Sequence, residues 1–116
     1  MATKKALEKY DFIFLHIKAT DSLAEDGNFQ GKKEFIEKID KNLKLVFKKI
    51  KNNLVIVTAD HSTCSNLKRH CSIPIPVLIY GNGQDGTKRF SEKACKKGKL
   101  GRLRQLSLMS KVLSLQ

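Results

Sequence analysis

The stretch that most constrains this chain is Asn53 to Thr63, NLVIVTADHST. Leu54, Val55, Ile56 and Val57 form a continuous apolar run, the pattern of a strand buried on both faces of a parallel sheet. A carboxylate and an imidazole follow at its C-terminal end, Asp60 and His61, where an open α/β sheet presents its ligand crevice. That donor pair suits a hard or borderline divalent ion such as Mn²⁺ or Zn²⁺. Taken alone, it also fits a turn-capping aspartate beside a surface histidine. The rest of the chain has to decide.

Upstream, Tyr10 to Ile17 (YDFIFLHI) repeats the buried-strand pattern, with Phe12, Ile13, Phe14 and Leu15 consecutive. The segment from Lys18 to Asn28 is polar and reads as a loop, carrying Asp21, Glu25 and Asp26 close together. From Phe29 to Ile50 the period changes: Phe35, Ile36, Ile39, Leu43, Val46, Phe47 and Ile50 lie on one stripe at helical spacing, with lysines opposite. Strand, loop, helix, strand is a βαβ unit, whose right-handed crossover brings the loops bearing Asp21 and Asp60 to one sheet edge. A polar connection, Cys64 to Ser72, follows; its His70 reads by itself as an ordinary surface residue, but a loop between the second and third strands also lets it fold back over the same edge to Asp21. Pro74 and Pro76 bracket the start of a third strand, Ile75 to Tyr80. A small helix around Ser91 to Lys97 and a final helix from near Ser107 complete the chain, the apolar residues of the last segment reading as core. The expectation is an α/β fold, one domain over residues 1–116, with a mainly parallel sheet of at least three strands and flanking helices.

A length of 116 residues with 41% apolar content supports a modest globular domain. The formal net charge of +12 favours acidic partners in general, nucleic acid among them. Lysines on a helix face are ordinarily solvated, and no aromatic residues interleave with them as single-strand binding needs. Cys64, Cys71 and Cys95 are an odd number without CxxC spacing, so reduced thiols in a cytoplasmic protein are expected. The polar start of the chain and the absence of a long apolar run predict no signal peptide and no membrane span. Phosphate-binding glycine motifs and the GxSxG elbow are missing.

The segments YDFIFLHIKATD, DGNFQGKKEFIEKID, VTADHST, KRHCSIPIPVLIYG and GKLGRLRQLSLM, in that order, resemble the C-terminal part of the archaeal-type 2,3-bisphosphoglycerate-independent phosphoglycerate mutases. These are metalloenzymes of the alkaline phosphatase superfamily. The resemblance implies a two-metal phosphotransferase acting on phosphoglycerate, with Mn²⁺ the leading ion and Zn²⁺ or Mg²⁺ the alternatives. It implies that Asp21, Glu25 and His70 hold one metal and that Asp60 and His61 contribute to the other. Paired divalent ions suit phosphoryl transfer because they neutralise charge and clamp the attacking and leaving oxygens.

Two departures follow from the same resemblance. The family pattern Asp-x-x-x-His reads here as Asp21 to Glu25, a carboxylate where histidine is usual. The family's nucleophilic serine, its partner aspartate and its lid domain belong to an earlier part of the family sequence, so Ser22, Ser62 and Ser65 are not assigned that role. Three readings result. The chain is the C-terminal portion of a mutase, inactive alone and completed by a complementing N-terminal chain; or a degenerate metal-binding or regulatory module; or a basic nucleic-acid-binding domain. Without the missing part, an open sheet edge and exposed apolar surface are expected.

Overall fold

The computed structural model describes residues 2–48, 50 and 52–115; Met1, Lys49, Lys51 and Gln116 lie outside the described residues. In chain order these form α1 (Ala2–Leu7), α2 (Ala19–Glu25), α3 (Phe29–Phe47), β1 (Val55–Val57), β2 (Ser62–Cys64), β3 (Arg69–Cys71), β4 (Leu78–Tyr80), α4 (Glu92–Cys95), a 3-10 turn (Gln105–Ser107) and α5 (Leu108–Leu113). They divide into two compact units, Met1–Lys51 with Thr63–Cys71, and Asn52–Ser62 with Ser72–Gln116.

In the first unit, the segment expected to be a polar loop contains α2. Its seven residues end in a tight joint: Gly27 N–H donates to Ala24 O at 3.0 Å and Asn28 N–H to Leu23 O at 2.8 Å, with Gly27 at φ +72°. Such a left-handed cap satisfies carbonyls that a helix end leaves open, and glycine adopts it without Cβ strain. Asn28 then starts α3, its side chain accepting from Gly31 N–H at 2.8 Å. Ala24, fully buried, lies in α2 just before this joint. The joint sets α2 against α3 without a connecting loop.

The expected helix over Phe29 to Ile50 is observed to Phe47, and its apolar stripe is half-buried, with no residue of α3 fully buried. The expected strand over Tyr10 to Ile17 is not a strand. Residues 12–18 have no ladder partner among the described residues, and Tyr10, Phe12, Phe14, Leu15 and Ile17 are 38–80% exposed. A strand patterned for burial on both faces needs neighbours on both sides, and the described chain supplies none. β2 and β3, unforeseen in the polar connection after Thr63, pair as a hairpin through Ser65–Lys68, with Lys68 at φ +52°. The connection is too short for anything but an antiparallel return.

In the second unit, β1 and β4 pair antiparallel, with Val55 opposite Tyr80, Ile56 opposite Ile79 and Val57 opposite Leu78. The parallel sheet of three or more strands is therefore not what the described residues form; they form two two-stranded sheets. Pro74 and Pro76 confine the expected strand Ile75 to Tyr80 to its last three residues, since proline brings no N–H to a ladder. Gly81 sits at φ +110° where a Cβ would lie 2.9 Å from Asn53 O, so the return beside β1 admits only glycine. Ser91 caps α4 by accepting from Ala94 N–H at 3.3 Å, and the final helix begins at Leu108. The expected core role of the last segment holds for Val112 and in part for the half-buried Leu108 and Leu115, whereas Leu106 is 96% exposed and Met109 and Leu113 are exposed as well. A six-residue helix beside a two-stranded ribbon has little to bury against.

Candidate metal centre

Asp21 lies in the first turn of α2 and Glu25 one turn later, so the i, i+4 spacing puts both carboxylates on one helix face. His70 occupies the middle of β3. Its Nε2 is 3.9 Å from Oδ1 of Asp21 and 3.9 Å from Oε1 of Glu25. Two ligands on one divalent ion at about 2.1 Å each can be at most about 4.2 Å apart, so His70 lies within ligand-pair distance of each carboxylate. Two carboxylates and an imidazole are also the donor types such an ion takes.

Asp21 is fixed from two sides. Lys18 Nζ meets Oδ2 at 2.7 Å, and the Thr63 hydroxyl donates to Oδ1 at 2.6 Å, with the Asp21 side chain 16% exposed. Thr63 is itself 8% exposed, and its carbonyl accepts from Lys32 Nζ at 2.7 Å. Lys68, in the hairpin turn, covers Gly27 so closely that a Cβ there would lie 2.5 Å from Lys68 Cε. These contacts seat the β2–β3 hairpin on α2 and α3, which is why a histidine on β3 reaches carboxylates on α2.

The expectation of reduced cysteines is corrected in this hairpin. Cys64, at the end of β2, is disulfide-bonded to Cys71, at the end of β3, with Cα atoms 6.0 Å apart. That separation lies within the range a disulfide spans. The spacing of seven in sequence gave no sign of it because the hairpin was not foreseen. Cys95 is free.

Asp60 and His61 belong to the second unit and follow β1 by three and four residues. The His61 N–H donates to Asp60 Oδ1 at 3.1 Å, and His61 Nε2 lies 3.4 Å from Asp60 Oδ2. Gln105 Nε2 donates to Asp60 O at 3.3 Å, tying this loop to the 3-10 turn. Ser62, one of the serines weighed above, donates its hydroxyl to Ile73 O at 2.6 Å.

Thus Asp21, Glu25 and His70 lie in one unit, His70 near each of the two carboxylates, and Asp60 and His61 are neighbours in the other. Sequence reasoning missed Thr63 as the residue that orients Asp21; its signal was a hydroxyl two positions beyond His61. A cleft of about 640 Å³ in the first unit, lined by Phe29, Lys32, Ile36, Thr63 and Cys64 among others, includes none of the ligand candidates. Thr63 lines it, and it is not the metal centre.

Comparison with known proteins places the chain among metalloenzymes. A family model described as "Metalloenzyme superfamily" matches residues 1–115. A 2,3-bisphosphoglycerate-independent phosphoglycerate mutase of Pyrobaculum aerophilum is 45% identical over 113 residues, which is 93% of this chain and 28% of that protein. The mutase of the same description numbered 1 in Archaeoglobus fulgidus is 44% identical over 117 residues, 98% of this chain and 29% of that one. Among solved structures, the PH0037 protein from Pyrococcus horikoshii aligns with a TM-score of 0.92 at 35% identity, over 98% of this chain and 36% of that chain. The chain therefore spans under a third of the curated relatives it matches, corresponding to their C-terminal portion.

Proposed function

The chain belongs to the Metalloenzyme superfamily, and on that premise we propose that it is the metal-binding C-terminal portion of a cofactor-independent phosphoglycerate mutase, interconverting 2- and 3-phosphoglycerate only when the remainder of the fold completes it. The observation that carries this reading is His70, placed 3.9 Å from both Asp21 and Glu25 in a chain whose relatives are such mutases. Glu25 departs from the family pattern yet keeps a carboxylate oxygen 3.9 Å from His70 Nε2, which favours a working site over a decayed one.

Asp21, Glu25 and His70 would hold one divalent ion, and Asp60 and His61 would contribute to a second. The oxygen-rich first set suits Mn²⁺ best, with Mg²⁺ or Zn²⁺ as alternatives. Such ions, when bound, neutralise the charge of a transferring phosphoryl group and orient its attacking and leaving oxygens. The chain's own residues supply binding and orientation: Thr63 and Lys18 fix the Asp21 carboxylate, and the β2–β3 hairpin presents His70 to it. The nucleophile belongs to the missing portion, in keeping with a Ser62 hydroxyl engaged by a backbone carbonyl.

The same reading accounts for the extended apolar segment over residues 12–17, which would enter a mainly parallel sheet of three or more strands once strands of the complementing portion flank it. No helix among the described residues is long and apolar enough to cross a membrane, and a cytoplasmic location fits an enzyme of soluble phosphorylated metabolites. The test is complementation: this chain mixed with the part of the Pyrobaculum aerophilum relative that it does not cover, assayed for interconversion of the two phosphoglycerates. Turnover in the mixture alone, abolished by His70→Ala, is expected. A mixture that associates but never turns over, or a His70→Ala mixture that turns over normally, would overturn the reading.

A further inference from the structure

We propose that the Cys64–Cys71 pair positions His70 and makes the metal affinity of the Asp21, Glu25 and His70 site depend on redox state. The inference rests on the metal-binding reading given above. The route is short. Thr63 on β2 is anchored to α2 through Asp21 and to α3 through Lys32. β3 carries His70 and has three residues, and an isolated two-stranded ribbon of that length is marginal in water. The covalent tie from Cys64 to Cys71 joins the residue after Thr63 to the residue after His70. It thereby transmits the anchoring of β2 to the imidazole on β3.

The chemistry is a thiol–disulfide exchange. A dithiol reductant attacks one sulfur and the Cys64–Cys71 bond breaks. Two electrons and two protons pass from the reductant, which closes into its own disulfide, and Cys64 and Cys71 are left as thiols. Oxidation by a small disulfide runs the same exchange backwards. Once reduced, β3 loses its covalent tie to the anchored β2, and His70 spends less time beside the two carboxylates. Partners that orient a metal-ligating histidine typically change affinity by about 10- to 100-fold, and a loss in that range is expected on reduction.

The test uses the full chain in oxidised form and in a form reduced with dithiothreitol and then desalted without oxygen. Mn²⁺ binding is measured by calorimetry, with Mn²⁺-induced broadening of the His70 ring protons as the second readout. Iodoacetamide labelling fixes the redox state: Cys95 alone should label in the oxidised form and all three cysteines in the reduced form. The expected result is weaker binding and reduced His70 broadening after reduction, an unchanged helical circular-dichroism signal, and a Cys64→Ser/Cys71→Ser variant that behaves like the reduced form whatever the oxidant. Equal affinity in the two forms, or three labelled cysteines after oxidation, overturns the inference while leaving the metal site standing. Loss of helical signal on reduction also overturns it, because the bond would then hold the fold and not His70. Absence of Mn²⁺ binding in both forms removes the metal reading itself, and this inference with it.

Discussion

Thr63 is held at both of its polar ends, the hydroxyl donating to Asp21 at 2.6 Å and the carbonyl accepting from Lys32 at 2.7 Å. A hydrogen bond to a charged partner contributes about 1.5–3 kcal/mol, more than a neutral one. Thr63→Val keeps the β-branched shape that suits a strand and removes only the hydroxyl. It should destabilise the chain by about 1.5–3 kcal/mol in urea unfolding, whereas Thr63→Ser should stay close to the parent. A Thr63→Val variant as stable as the parent would mean that the Thr63 hydroxyl does not hold Asp21. At this scale the ligand candidates were legible, because carboxylates and imidazoles have no place in an apolar run and stand out beside one. Thr63 was not legible, since a threonine on a strand is ordinary until its partner is known.

Among the elements, α3 was legible because its apolar stripe persists for five turns, and only its last residues were misplaced. α2 was not: seven residues, most of them polar, carry too little periodicity to separate a helix from a loop, and the cap that fixes it comes from Gly27 and Asn28. The β2–β3 hairpin escaped for a similar reason, because its stability comes from Thr63, Lys32 and a disulfide and not from an alternating pattern. The loop between β4 and α4 is fastened by Asp85, which accepts from Lys99 N–H at 2.7 Å and Thr87 N–H at 2.8 Å. The Lys99 bond first, and those from Thr87 next, hold its carboxyl below the ordinary value of 3.8. A carboxyl lowered in the folded state stabilises that state above its unfolded value and loses the contribution as pH falls through the folded value. Asp85→Asn should therefore lower Tm near neutral pH, and its difference from the parent should close as the pH drops below 3.8. A thermal-melt difference that stays constant down to strongly acidic pH would contradict this account of the loop.

For the whole molecule, large apolar side chains stand in solvent in both units, Phe14 at 80% and Leu106 at 96% exposure. Ala24, Ile50 and Val112 are the buried apolar residues among those described, while Phe12, Phe14, Phe29 and Leu106 stand exposed. This is the surface expected of a chain that spans under a third of its relatives' length. It also explains why the described residues form two-stranded ribbons where the apolar pattern points to a parallel sheet. The runs at Tyr10 to Ile17 and Leu54 to Val57 are written for burial on two faces, and their pattern reports the neighbours of the complete fold. The described residues supply only a single antiparallel partner for the second run and none for the first. Apolar pattern reveals what a segment is suited to bury against, not whether that partner is present.

The central claim, that α2 and β3 together form a metal site, is tested most directly by titrating Mn²⁺ into the oxidised full chain and its His70→Ala variant by calorimetry. The account predicts saturable binding by the parent, weakened in the variant by more than the roughly 10- to 100-fold that outer partners cost. Equal binding by the two proteins, or none by the parent, would contradict it.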